Sequence, residues 1–310
     1  MRWHAIFIIP LAACAPSDGS EPPAERGLIS LAGQIEEQSL DEASGIVASR
    51  RRNDVLWFIN DDGKATVHAT DLTGKDIGRL RIDAADNRDW EDLAAFTLDD
   101  TPYLVVAEIG DNDARYETYR LHVVAEPDLA PDSKRRETTD WTVEFRYPDG
   151  SRDSESLAVD AGEGRAYVLS KRDLPPRLYA VPLQPAEEGI QTATFLGPVR
   201  SLPPPSRHEI EIAALVKDWS WQPAAMDFSR DGRHAVILTY ESVYLYRREA
   251  NQSWYQALSQ EPLGLSIRPL RDAESVAFSA DGRSLYVTTE GKNPPLIRID
   301  IADALEMTIP

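Results

Sequence analysis

A single cysteine, Cys14, is all the chain has, so no disulfide framework can staple it and no cysteine cluster can hold a metal. Its five histidines (His4, His68, His122, His208, His234) lie far apart. His208 stands in RHEIE, which lacks the second His of a zinc helix, and all five read as surface or core residues. The glycine patterns of a phosphate loop, a dinucleotide fold and a nucleophile elbow are missing too. Covalent catalysis is therefore not expected, and any chemistry would fall to carboxylates or to a metal they hold. Basic residues are in deficit: 33 Lys and Arg against 52 Asp and Glu give a net charge of −19. Such a surface repels a phosphate backbone, which argues against nucleic acid as a partner, and it attracts cations. Acidity alone also serves solubility, so the placement of the acids says more than their number.

The apolar run from Ala5 to Ala13 is shorter than the roughly 20 residues of a spanning helix. It follows Arg2 and precedes Cys14, the order of a secretory signal. The ending Leu11-Ala12-Ala13-Cys14 resembles the bacterial lipobox, in which the thiol is lipidated and becomes the new N-terminus; a signal peptide with an incidental Cys is the other reading. The expected organisation is a signal peptide over 1–13, a lipidated Cys14 with a polar, Pro-rich tether over 14–26, and a folded domain over 27–310. Ala15 resembles the residue after the Cys in lipoproteins sorted to the outer membrane. The expected location is the cell envelope, with the membrane as a partner through Cys14 and the domain facing the periplasm.

What is abundant is repetition. EASGIV, DWEDLAAF, DSESLAVD, QPAAMDFS and DAESVAFS share one pattern, with anchors at Ser44, Glu91, Glu155, Ala224 and Glu274 spaced by 47, 64, 69 and 50 residues. Each leads through a turn such as SRDG or SADG into a second apolar run (VLWFIN, YLVVAE, AYVLSK, AVILTY, LYVTTE). Alternating β-branched and aromatic runs joined by such turns signal antiparallel hairpins. A third strand follows in every unit and a looser fourth in most. Four antiparallel strands repeated radially describe an all-β propeller of five blades. RGLISLAG (27–34) is a lone strand that can complete the last blade and leave no long edge bare. The long third step contains PPPSRHEIEIAALVKDW, read as an insertion, with a sixth blade as the alternative; no amphipathic helix of useful length is expected.

In a blade the start of the first strand and the end of the second meet at one face of the disc. The first-strand starts carry Glu42 and Ser44, Asp89 and Glu91, Asp153 and Glu155, Gln222 and Ala224, and Asp272 and Glu274. The second strands end at Asn60, Asp61 and Asp62, at Glu108, Asp111 and Asn112, at Lys171 and Arg172, at Tyr240 and Glu241, and at Glu290 and Lys292. Counting 16 residues from the anchor aligns Asn60, Lys171, Tyr240 and Glu290, with Glu108 at 17. Carboxylates converging on a narrow channel must share protons, pair with a cation, or both. A hard divalent ion, Ca²⁺ by preference, would relieve the repulsion, so Asp89, Glu91, Asp111, Asp153, Glu155, Asp272 and Glu274 are the candidate metal ligands. Glu42, Asn60, Asp61, Glu108, Lys171, Arg172, Tyr240, Glu290 and Lys292 are the candidate ligand-binding residues. The competing reading is a purely structural network in which the acids pair with Lys171, Arg172 and Lys292 and tie the blades together.

The strings ASGIVASRRNDVLWFINDDG, NRDWEDLA, EIGDN, DSESLAVD, VLSKRD and AESVAFSADGRSLYVTTEG, in this order over most of residues 41–292, resemble a family of bacterial propeller proteins of the SdiA-regulated kind. The resemblance implies the fold and carries no activity with it. A more distant likeness is to phytase-like, calcium-dependent propeller hydrolases, and only through the general placement of Asp89, Glu91, Asp111, Glu155 and Glu274. Two functions are therefore expected in competition: an envelope-anchored propeller that binds a small molecule or protein at a cation-bearing acidic mouth, and a calcium-dependent phosphoester hydrolase.

Overall fold

Each of the five repeats folds as a largely antiparallel sheet, and its first strand packs against the first strands of the blades before and after it, closing a ring. This is the five-bladed β-propeller that the repeats predict. The computed structural model describes residues 28–83, 85–129, 133–216, 219–267, 270 and 272–307. The expected signal peptide, Cys14 and tether lie outside them.

The inner strands are Ala43–Ala48, Trp90–Leu98, Ser154–Asp160, Pro223–Phe228 and Ala273–Phe278, in blades 1 to 5. The second strands are Val55–Asn60, Thr101–Glu108, Arg165–Ser170, His234–Thr239 and Ser284–Thr289. Both sets are almost wholly buried because each faces a neighbouring blade on both sides. The cores lie between blades: Trp57, Ile59 and Val67 of blade 1 pack on Leu93, Leu104 and Val106 of blade 2, and Ile46, Leu56 and Phe58 pack on Ala277, Tyr286 and Leu296 of blade 5.

The first strand among the described residues belongs to the last blade. Ile29–Gln34 runs antiparallel to Pro295–Asp300 and supplies its fourth strand, the closure anticipated from RGLISLAG. Two blades gain a fifth strand that the repeats do not foretell. Ser133–Thr138 leaves blade 2 between its third and fourth strands and pairs parallel with Asp76–Asp83 of blade 1. Gln191–Thr192 pairs parallel with Trp141–Arg146 of blade 2.

The long third step is an insertion and not a sixth blade, but it is helical where no helix was expected: Arg207–Val216. Its signal was local. Ser206 Oγ accepts from Glu209 N at 3.2 Å and Glu209 Oε2 accepts from Ser206 N at 2.7 Å, a capping box spelled S-R-H-E. Shorter helices occupy Trp254–Ala257 and Ala302–Met307. Among the described residues no helix is long and apolar enough to cross a membrane.

The closure has a tight point. The register of Ile29–Gln34 shifts between Leu31 and Gly33, and a Cβ added at Gly33 would overlap the Thr73 carbonyl oxygen in blade 1. Gly33→Ala is expected to cost about 1–3 kcal/mol, read by calorimetry as a drop in Tm of about 2–4 °C per kcal/mol. An unchanged Tm would mean that the closing strand does not bear on blade 1.

Candidate functional site

One irregularity recurs in every blade. The register between first and second strands slips between Ala43 and Gly45, Trp90 and Asp92, Ser154 and Ser156, Pro223 and Ala225, and Ala273 and Ser275. The residue left over is the anchor of each repeat: Ser44, Glu91, Glu155, Ala224 and Glu274. A bulged residue has no partner across the ladder, and the bend re-aims its side chain. The repeat motif is thus a bulge motif at the channel.

Blades 2 and 3 build the tightest cluster. Glu91, Asp153 and Glu155 are all buried, and each offers a carboxylate oxygen within 4.8 Å of the others. Asp89 hydrogen-bonds Glu91. From the return strand of blade 3, the Lys171 ammonium pairs with Glu155 Oε1. Arg172 Nε donates to Asp153 Oδ2 at 2.6 Å, and its Nη2 donates to Asn112 Oδ1. Asp153 Oδ1 accepts from Asp111 N at 2.9 Å. Glu155 Oε2 is buried and has no hydrogen-bond partner among the described residues.

The charges cannot all be expressed at once. Burial, then Glu155 and Asp89, pushes Glu91 well above the usual carboxylate range. Burial lifts Glu155 to about 7 against the pull of Lys171. Glu274 rises through burial and the charge of Glu155, while Tyr240 hydrogen-bonds it. Burial works against the Lys171 ammonium, but Glu155, Glu274 and Glu91 outweigh it and hold it charged.

On the side of blades 3 to 5 a cleft of about 370 Å³ opens, walled by Lys171, Arg172, Gln222, Tyr240, Glu274 and Glu290. The insertion brings Trp219 to its rim, edge-on to Trp221. The mouth therefore has an acidic half and a half with cations and aromatics. Blade 1 adds a second acid group, Glu42, Asp61 and Asp62. The hydrogen bond with Asp62 and the charge of Asp61 lift Glu42 to about 7, and burial with the charge of Glu290 lifts Asp61 to about 6.

Several candidates stand elsewhere than the 16-residue count places them. Asn60 pairs with Ala43 as Ser170 pairs with Ser154, so Asp61 is the counterpart of Lys171; Asn60 Nδ2 donates to Ser39 O at 2.7 Å. Glu108 turns into blade 2 and lies 3.4, 3.2 and 3.2 Å from Arg88, Arg120 and His122. Asp111 spends its carboxylate on Arg115 N, Tyr116 N and the Tyr119 hydroxyl at 2.7, 2.9 and 2.8 Å, so it organises its loop. Lys292 is exposed; Asp272 is exposed too but lines the cleft with Glu274 and Glu290, as expected of it. The count fails because the blades' hairpin loops differ in length.

Two acids inside the channel were missed. Asp92, 1% exposed, accepts from Leu93 N and Leu157 N at 2.8 and 2.7 Å and from Met226 N at 3.3 Å, reaching blades 3 and 4. Asp227 accepts from Phe278 N of blade 5 at 2.8 Å, and burial lifts it to about 6. Both stand where the other repeats carry small or aliphatic residues, and that break in the pattern was their only signal.

The fold and mouth define a five-bladed β-propeller with an acid-lined channel entrance. No protein-family model matches the chain, and no curated protein matches it. Among solved structures the chain is similar to a luciferin-regenerating enzyme, at 10% identity and TM-score 0.44 over 86% of this chain and 92% of that one. A nidogen/laminin complex gives 10% and 0.41 over 81% and 73%. A β-propeller domain from Myceliophteria thermophila gives 15% and 0.39 over 86% and 74%. The propeller assignment rests on the blade topology and not on these distant likenesses.

The raised carboxylates fix the sign of a pH effect. Glu155 and Asp227 hold their protons up to about 7 and about 6 when folded, but only to about 4 when unfolded. The native state then binds more protons between these limits, and raising the pH through that window costs stability. In metal-free buffer, Tm is expected to rise by a few degrees as pH falls from 7.5 to 5.5. A flat or opposite profile would show that these acids are ionised in the folded protein.

Proposed function

We propose that the channel mouth binds a small anionic or sugar-like ligand beside a divalent cation, on a protein held at the cell envelope through lipidated Cys14. The observation that carries the reading is Glu155 Oε2, buried and unpaired, with oxygens of Glu91 and Asp153 in reach. Three carboxylate oxygens suit a hard ion. Ca²⁺ takes about 6–8 oxygen ligands, so waters or ligand oxygens would complete its shell. Lys171, Arg172, Tyr240 and Trp219 would meet the anionic or ring parts of the ligand from the other wall.

A second reading has its own support. Lys171 and Arg172 already lie on Glu155 and Asp153, so the cluster can neutralise itself and serve only to join blades. The two readings part at Lys171. If the ammonium competes with a cation, Lys171→Met improves calcium binding. If it is the natural partner of Glu155, the same change leaves a buried charge and costs stability with no calcium response.

Calorimetry of unfolding with and without calcium distinguishes them. Saturating calcium is expected to stabilise the wild type, by about 2.7 kcal/mol at a hundred times Kd. The effect should vanish in Glu155→Gln and grow in Lys171→Met. No calcium shift in either the wild type or Lys171→Met would remove the cation. Chelator-sensitive phosphoester turnover that is lost in Glu155→Gln would instead support the calcium-dependent hydrolase.

A further inference from the structure

Blade 1 carries a feature of opposite charge on its outer flank. A groove of about 940 Å³ opens between the sheet and the segment leading from the closing strand, and six cations line it, Lys64, Arg79, Arg81, Lys134, Arg135 and Arg136, against two acids, Asp41 and Asp62. In a chain of net charge −19, this concentration is a departure.

Its geometry is set by the parallel pairing of Asp76–Asp83 with Ser133–Thr138. That register puts Arg79 beside Lys134 and Arg81 beside Arg136. Like charges directly opposite each other weaken a sheet. Carboxylates answer only part of this: Asp83 lies 2.7 Å from Arg136 and 3.8 Å from Arg81, and Glu37 lies 3.8 Å from Arg79. Lys64, Lys134 and Arg135 form no ion pair among the described residues.

A charged edge strand guards against edge-to-edge aggregation, and that accounts for exposed charge on Ser133–Thr138. It does not account for Arg79 and Arg81, which lie one strand further in, nor for the groove's histidine. His68 is 4% exposed, lines the groove, and has a buried Nδ1 with no hydrogen-bond partner among the described residues. A buried imidazole nitrogen without a partner, set beside guanidinium groups, calls for an explanation, and a bound group would supply one.

We infer that this groove binds a phosphate-bearing anion. Planar guanidinium forks match the oxygens of phosphate in pairs, and the volume admits more than one phosphate group. The site is separate from the acid cluster of blades 2 and 3, so it neither needs nor supports the proposed cation there.

The test uses the whole folded protein in calcium-free buffer. Sodium tripolyphosphate is titrated by isothermal calorimetry, and vesicles of phosphatidylglycerol or of phosphatidylcholine are offered in sedimentation. Tripolyphosphate is expected to bind, less tightly as salt rises, and to lose at least about tenfold in affinity in Arg79→Gln/Arg136→Gln and in Lys134→Glu. His68→Phe should weaken binding too, and ring-proton NMR signals of His68 should move on titration. Arg115→Gln, which removes an exposed cation of blade 2 outside the groove, should leave the affinity unchanged. Binding to phosphatidylglycerol vesicles alone would assign the phosphate to a lipid headgroup, and binding to tripolyphosphate alone to a soluble molecule. No binding to either probe, or affinity unaltered in folded Arg79→Gln/Arg136→Gln and Lys134→Glu, would overturn the inference.

Discussion

A strand on the wall of a channel has no neighbour along its inner edge, so its amide and carbonyl groups must find partners that are not strands. The chain meets this constraint with short polar side chains sent from one blade to the next. Ser44 Oγ donates to Trp90 O, joining blades 1 and 2, and Ser275 Oγ donates to Ala43 O, joining blades 5 and 1. Asp92 gathers amides from blades 3 and 4, and Asp227 takes one from blade 5. These contacts join every pair of neighbouring blades except 3 and 4, both of which Asp92 reaches from blade 2. Burying carboxylates for this purpose raises their proton affinity, so the acid character of the channel follows from how the ring is closed before any ligand is considered.

The mouth begins where that network ends. At the bulges the anchor side chains leave the ladder, and in blades 2, 3 and 5 they are Glu91, Glu155 and Glu274 in place of Ser44 or Ala224. Ser44 at the same position satisfies a carbonyl and stops there. A glutamate reaches further, meets its counterparts from other blades, and creates an excess of negative charge that Lys171 only partly answers. The asymmetry among blades therefore matters more than the repeat. Blade 4, with Gln222 and Ala224, gives up its acids and contributes Tyr240 and the nearby Trp219, which makes one wall of the cleft suited to rings and uncharged groups.

The inner and second strands, the ring and its closure were legible because each is written in local sequence: a bulge motif, a turn and an apolar run, five times. The cluster of Glu91, Asp153 and Glu155 was legible for the same reason, since the motif puts those residues at one face. Register was not. Asn60 and Glu108 were misplaced because hairpin loops of unequal length shift the count by one residue, and one residue reverses the direction of a side chain. The helix Arg207–Val216 was overlooked beside a run of prolines, although Ser206 and Glu209 spell its cap. Asp92 and Asp227 were hidden because a comparison of repeats reads what repeats, and each occurs once.

The basic groove was beyond such reading for a further reason. Its two strands lie some fifty residues apart in sequence, and the pairing that joins them is parallel and crosses from one blade to the next. Leu80 and Ile82 are fully buried and hold the inner of the two strands in place, so apolar packing carries the cost of setting Arg79 against Lys134. The acidic mouth is built on the same principle with the sign reversed, for there too an apolar scaffold holds like charges closer than they would settle by themselves. Asp62 belongs to the acid group of blade 1 and also lines the groove, so the two regions share a border. Across that border the side chains change from acidic to basic within a single blade.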